Sequence, residues 1–260
     1  MNTITKDVLN TTLDILPNSV QRYLKYLYYE LKGGEPELKL LPQLCDRQKL
    51  SLDVGANRGM YTLYLQSLSQ EVICFEPNPN LSHYLEQLFT KQNVSVINCG
   101  LGDCHTQMEL NIPYVGNREL HGWGSLRKDF QNSTWKEQEI TDIKTFNIEI
   151  NKLDDFQFKN VGFIKIDVEG FESQVIQGAM QTLKTNKPNL IIEIEQRHNE
   201  IQIEEIFQKI LQLGYFGYFL FERKLHNLEI FNPASMQASE NTDGRGQYIC
   251  NFIFSPQPLN

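Results

Sequence analysis

The sequence predicts an α/β protein organised around a doubly wound, mostly parallel sheet. Five apolar runs, "LSLDV" (50–54), "EVICFE" (71–76), "VSVINC" (94–99), "VGFIKIDV" (161–168) and "NLIIEIE" (189–195), read as strands buried on both faces. Helical periodicity follows the first, second, fourth and fifth of these, around 59–68, 79–90, 171–184 and 199–213. Two aromatic-rich runs, "YFGYFLFE" (215–222) and "YICNFIFS" (248–255), close the chain without an intervening helical pattern. They are expected to pair antiparallel.

Before the first strand, Val20, Tyr23, Leu24, Leu27, Tyr28 and Leu31 share one helical face, and Gly33-Gly34 supplies the stop. Residues 1–34 are therefore read as an N-terminal helical segment whose apolar face packs on the flank of an α/β domain spanning 35–260. Residues 100–160 exceed what a crossover needs, so an insertion on the substrate side is placed at about 105–158. Within it, "QMELNIPY" and "KTFNIEINKLDDF" look like strands. The polar run 232–246 is read as a second substrate-shaping loop or a hairpin tip.

Composition excludes several classes of function. A net charge of −8 and pI ≈ 5.2 disfavour nucleic acid and anionic membrane surfaces as partners, since both select positive potential. No apolar run reaches the length of a membrane span, and the first twenty residues lack the pattern of a signal peptide. The five cysteines form no CxxC pair, which fits buried thiols in a reducing cytoplasm better than zinc.

The chemistry concentrates at strand ends, where doubly wound sheets bind ligands. After Asp53 the chain reads Gly55-Ala56-Asn57-Arg58-Gly59. This spacing is neither the G-x-G-x-x-G of dinucleotide folds nor a phosphate-binding P-loop. Gly55 is expected to allow a ligand close to the main chain, so that a branched side chain there blocks binding and spares the fold. Glu76 ends the second strand and suits a ribose diol. Acidic strand ends without a phosphate cradle fit a nucleoside with a cationic, amine-bearing tail, such as S-adenosylmethionine.

"LDVGANRGMYTLYL", "ICFEPNP", "VINCGLGD" and "FIKIDVEGFESQVIQGA" together resemble the FkbM-like methyltransferases over roughly residues 35–200. The resemblance implies a Rossmann-like fold and S-adenosylmethionine-dependent methylation, usually of a hydroxyl on a sugar or other small metabolite. It places Asp53, Gly55, Asn57 and Gly59 at the methionine part of the cofactor, Glu76 at the ribose, and Gly102 and Asp103 beside the adenine. Arg58 departs from the family, where an apolar residue is commoner, and is expected to point away from the cofactor.

An alcohol acceptor needs its proton removed, or its acidity raised by a metal. Asp167 and Glu169 after the fourth strand, with His198, are the catalytic candidates; Glu195 and Trp123 are the acceptor-side candidates. Alternation would set Asp167 and Glu169 on one side of their strand, and Glu193 and Glu195 on one side of theirs. Asp167 and Glu193 could instead grip a divalent cation, and Lys165 could neutralise Asp167. Two other readings stay open: a nicotinamide-dependent oxidoreductase, and a non-catalytic nucleoside-binding module. Acceptor identity, general base, metal dependence and oligomeric state are not legible.

Overall fold

A computed structural model describes residues 16–32, 35–90, 92–116, 118–119, 140–238 and 248–259. The central sheet holds β1 (Leu50–Val54), β2 (Glu71–Phe75), β3 (Val94–Ile97), β8 (Val161–Ile166), β9 (Asn189–Glu193), β10 (Phe216–Phe221), β11 (Lys224–Asn227) and β12 (Asn251–Ser255). Their order is β11-β10-β12-β9-β8-β1-β2-β3. The five strands from β9 to β3 are mutually parallel, and β12 runs antiparallel between β9 and β10. Chain order reverses between β1 and β8, which opens a crevice at their carboxyl ends.

The strands are apolar on both faces because both faces are covered. Leu52, Val54, Phe75, Ile164, Ile166 and Ile192 pack with helices α5 (Glu172–Gly178), α6 (Met180–Asn186) and α7 (Ile203–Leu211). Val72, Cys74, Phe163 and Ile191 face α2 (Leu41–Leu44), α3 (Met60–Leu68) and α4 (Pro79–Leu88). Cys74 and Cys99 are buried, and all five cysteines are free thiols. No helix among the described residues is long and apolar enough to cross a membrane.

The insertion forms a second sheet in the order β4-β7-β5-β6: β4 (Gly100–Leu101), β5 (Thr106–Val115), β6 (Arg118–Glu119) and β7 (Asp142–Asn151). β5 and β7 pair antiparallel from Thr106–Ile150 to Tyr114–Asp142. Leu110, Ile112, Ile148 and Ile150 make a small core against Phe171, which ties this sheet to the crevice.

Two expectations are corrected. The N-terminal helix, α1 (Asn18–Lys32), buries Gln21 and Lys25, while Val20, Tyr23 and Leu24 stay exposed. Asn18 and Arg22 donate to the carbonyls of Gln87 and Leu88 at the end of α4, and Lys25 donates to the Tyr84 hydroxyl. Cationic and amide donors thus satisfy carbonyls a helix end leaves open, and that decides which face docks. The second correction is β11, a strand the sequence did not announce. Glu222-Arg223 turns the chain with φ of 49° and 62°, the two-residue geometry usually supplied by Asn-Gly. Of the polar run 232–246, residues 233–236 form a short helix, α8 (Pro233–Met236).

One glycine holds the two sheets in place. A Cβ on Gly178 in α5 would lie 1.9 Å from the Gly102 carbonyl oxygen. Gly178→Ala is expected to destabilise the protein by about 3 kcal/mol, as overpacking against backbone does. Denaturant unfolding should show a lowered midpoint with little change in slope.

Candidate active site

The crevice begins at the turn after β1. Gly55 has φ 78° and Asn57 φ 48°, so the chain folds sharply through left-handed conformations that glycine and asparagine tolerate. Gly55 N–H donates to the Phe75 carbonyl at 2.9 Å, and Asp167 N–H donates to the Val54 carbonyl at 2.9 Å. A Cβ at Gly55 would stand 1.8 Å from the Asp167 carbonyl oxygen. The expectation that Gly55 serves mainly a ligand is therefore corrected: a branched residue collides with the neighbouring strand end before any ligand arrives.

Glu76 is buried at the end of β2. Its carboxylate accepts from the backbone N–H of Asn57 (2.7 Å) and of Asn78 (2.9 Å), which locks it to the glycine turn. Burial pushes its pKa up to about 7, against the lowering effect of those two bonds. Asn78 also donates through its side chain to Glu119, which accepts from the Tyr114 hydroxyl at 2.9 Å. Glu119 was missed in the sequence because only the insertion's return brings β6 over the loop after β2.

One cleft is walled by Gly55, Asn57, Phe75, Glu76, Leu101, Leu110, Ile112, Glu119, Asp167, Glu169 and Glu193. A second cavity lies across the glycine turn among Glu35, Asp53, Arg58, Met60, Tyr61, Lys165 and Asp167. Gly55, Asn57 and Asp167 line both, so the two spaces adjoin on either side of these residues. Both are lined by more apolar than polar surface; carboxyls gather at one end of the first, and Glu35, Asp53, Arg58, Lys165 and Asp167 bring charge to the second.

Asp53 is buried on the second cavity's side and accepts from Thr62 Oγ1 at 2.5 Å. Desolvation raises its pKa to about 6. Lys165 is fully buried, donates to Asn251 Oδ1 at 3.0 Å and lies 3.9 Å from Asp167 Oδ2. Burial alone would lower its pKa, but the carboxylates of Asp167, Glu35 and Glu193 outweigh that and raise it. The Tyr61 hydroxyl and Asn251 Nδ2 both donate to Glu35 Oε2, at 2.6 and 3.2 Å. Glu35, Tyr61 and Asn251 carried no sequence signal; they meet Lys165 only because β12 and the segment before α2 converge there.

Asp167 and Glu193 stand one residue beyond the last paired couple of β8 and β9, Ile166–Ile192. Both carboxyls are pushed up, first by desolvation; each is raised further by neighbouring carboxylates and lowered by Lys165. Glu169 lines the same cleft from a left-handed turn of φ 49°, its Oε2 3.2 Å from His198 Nδ1. Strand alternation does not extend this far, because β8 ends at Ile166 and β9 at Glu193.

Several sequence-predicted residues lie elsewhere. Gly59 opens α3 with φ 78°, and a Cβ there would meet Leu85 and Phe89 at 2.9 Å, so its smallness serves helix packing. Gly102 is wedged against Ile150 and Phe171, and Asp103 is exposed; Cys99, Gly100 and Leu101 line the cleft instead. The chain leaves β3 early to join the second sheet, which carries Asp103 outward. Glu195 is held by the Arg197 guanidinium at 2.8 and 3.0 Å, outside the cleft. His198 also sits behind the cleft wall, against Glu169. Arg58 lines the second cavity, with its guanidinium 5.8 Å from the centre of the Tyr84 ring. Trp123 lies outside the described residues. Among the described residues no three His, Cys, Asp or Glu side chains group as metal ligands. Asp167 and Glu193 share their site with the Lys165 ammonium, which opposes a divalent cation.

The strand order, with an antiparallel strand slotted beside the parallel set and a carboxylate-lined cleft at the switch point, defines a Rossmann-like methyltransferase architecture. A family model described as the methyltransferase FkbM domain matches residues 53–219, and the chain belongs to that family. Methyltransferase 1 of Beauveria bassiana strain ARSEF 2860 is 28% identical over 144 residues, covering 49% of this chain and 57% of that one. The crystal structure of methyltransferase FkbM from Methylobacillus flagellatus KT shares 18% identity with a TM-score of 0.51. That match covers 94% of this chain and 57% of that one. The chain thus spans a little over half the length of each.

Glu37, Asp53, Glu76 and Glu172 are all buried, with pKa values raised by desolvation to about 7, 6, 7 and 7. A raised carboxyl means the folded protein binds more protons than the unfolded chain. Its stabilising effect is present at low pH and lost as pH climbs through the folded value. The ligand-free protein is therefore expected to lose several degrees of Tm between about pH 5.5 and pH 8. Thermal unfolding followed by circular dichroism tests this; a rising Tm across that window contradicts it.

Proposed function

We propose that this protein is an S-adenosylmethionine-dependent methyltransferase acting on a hydroxyl of a sugar or other small metabolite. The observation that carries the reading is that Gly55, Asn57 and Asp167 line two adjoining spaces. The first holds the buried Glu76, suited to a ribose, and the second sets Glu35, Asp53, Arg58 and Lys165 around a space suited to an amino-acid tail. Glu76 keeps lone pairs for two ribose hydroxyls while its backbone donors fix its orientation. Phe75, Leu81 and Leu101 offer the apolar wall an adenine needs. Asp53 and Glu35 can take the tail's ammonium, and Lys165 and Arg58 its carboxylate.

When bound, S-adenosylmethionine supplies a methyl group already activated by its sulfonium. The protein's share is then positioning and proton removal. Asp167 lines both spaces, so its carboxylate is assigned the acceptor's proton. Glu169 is held towards the same cleft by His198, which acts as a positioning residue. The apolar residues of the second sheet, Leu110 and Ile112, shape the acceptor side and limit water. The acidic chain, net −8, favours a neutral or cationic acceptor over a polyanion. Family membership and the glycine spacing both weigh against a nicotinamide enzyme. We place the protein in the cytoplasm.

Glu76→Ala is expected to weaken S-adenosylmethionine binding by about 2–4 kcal/mol, the loss of two charge-assisted bonds. Calorimetry on the folded variant measures it, and an unchanged Kd removes Glu76 from the site. Asp167→Asn should lower turnover by about 10²–10⁴ while leaving the Kd for S-adenosylhomocysteine within a few-fold. A labelled-methyl screen over glycans and small metabolites must first supply the acceptor. Normal turnover by the variant would make the carboxylate a structural partner of Lys165. Binding without transfer to any acceptor would favour a nucleoside-binding module.

A further inference from the structure

We propose that Asp167 and Glu193 share one proton and release it when a sulfonium cation takes its place beside them. The pair would thereby read the single charge that separates S-adenosylmethionine from its demethylated product. This rests on the cofactor reading above.

The geometry brings the two carboxyls together. β8 and β9 are parallel neighbours, and the register Ile166–Ile192 sets Asp167 and Glu193 side by side at the next position. Both line the first cleft, and Asp167 also lines the second, so the pair borders the wall between the proposed ribose and amino-acid-tail spaces. Two carboxyls set side by side at the edge of one cleft disfavour each other's ionisation, so the pair retains one proton.

The surrounding charges keep that proton in place. Arg58 lines the second space with its guanidinium turned to the Tyr84 ring, while Lys165 is the cation that acts on both carboxyls, its Nζ shared with Asn251. Against it stand Glu35 from the segment before α2, Asp53 from β1 and Glu169 from the turn after β8. Glu172 at the start of α5, Glu195 after β9, Cys250 before β12 and Tyr61 of α3 complete the shell. One lysine cannot balance these carboxylates, so a second negative charge on the pair is unfavourable until another cation arrives. A positive charge within about 4–6 Å makes a carboxyl roughly ten- to a thousandfold more acidic.

The consequence is a proton cycle whose atoms balance. The pair loses its proton to solvent as the sulfonium binds and then carries two negative charges, which makes it the stronger base. It accepts the acceptor's hydroxyl proton while the oxygen bonds to the methyl carbon and the carbon–sulfur electrons stay on sulfur. The sulfur is then neutral, and the pair holds one proton again. Glu193 is thus a specificity-determining residue that loads the base only when the methyl donor is in place.

The test is calorimetric titration of the whole protein with S-adenosylmethionine and with S-adenosylhomocysteine, near pH 7.5, in two buffers of different ionisation enthalpy. Both ligands carry the same ribose, ammonium and carboxylate, so protons released by Glu76 or Asp53 cancel in the comparison. S-adenosylmethionine should release up to about one more proton than S-adenosylhomocysteine, and its relative affinity should rise by up to about tenfold per pH unit. Glu193→Gln should abolish the difference, and Asp167→Asn should do the same if the first variant does not fold. Equal proton release by the two ligands overturns the inference, as does a difference that survives in a folded variant. Binding of neither ligand overturns the cofactor reading and this inference with it.

Discussion

The approach of Gly55 to the main chain at Asp167 is the constraint on which the site depends. Two parallel strands end side by side at the sheet's switch point, and their exit turns must pass without a side chain between them. Because Gly55 allows this, Asn57 is drawn beneath Glu76, and Asp167 is set opposite the glycine turn. The carboxylates that follow β2 and β8 and the one that ends β9 then line one cleft. A glycine that looks like ligand clearance is first of all a contact between two strand ends.

That arrangement carries an electrostatic cost. Glu37, Asp53, Glu76, Asp167, Glu172 and Glu193 all have their ionised forms disfavoured by burial, and Lys165 is the buried cation among them. Such a set is poor for the stability of the isolated fold and well matched to a ligand bearing positive charge. The hydrogen bonds from Thr62, Asn57, Asn78 and Gly170 hold individual carboxylates in orientation without neutralising them.

The second sheet and the C-terminal strands finish the site from a distance. β6 returns Glu119 over the loop after β2, and β5 supplies apolar residues to the cleft wall. β12 enters between β9 and β10 and delivers Asn251 to Lys165. The N-terminal side contributes Glu35, bonded to Tyr61 and Asn251. Chain segments on opposite sides of the parallel core therefore meet around one ammonium group.

The sequence by itself determined the parallel core, the antiparallel closing pair, the strand–glycine–helix turn and the acidic strand ends. Those features are local: an apolar run bounded by glycine or proline reports its own conformation, and Asp53, Asn57, Glu76 and Asp167 follow within a residue or two. Only the tertiary structure decided which of the neighbouring polar residues face the cleft. Alternation is lost once a strand ends, so Glu195 turned to Arg197 and His198 to the back of Glu169. Gly59 and Gly102 look like ligand glycines but make room for side chains on other elements. β11 depends on left-handed Glu222 and Arg223, a turn held by strand pairing and not by residue preference. The docking face of α1 was set by the open carbonyls of α4 and not by its own apolar stripe. In each case the deciding contact joins residues far apart in the chain, and no short pattern encodes it.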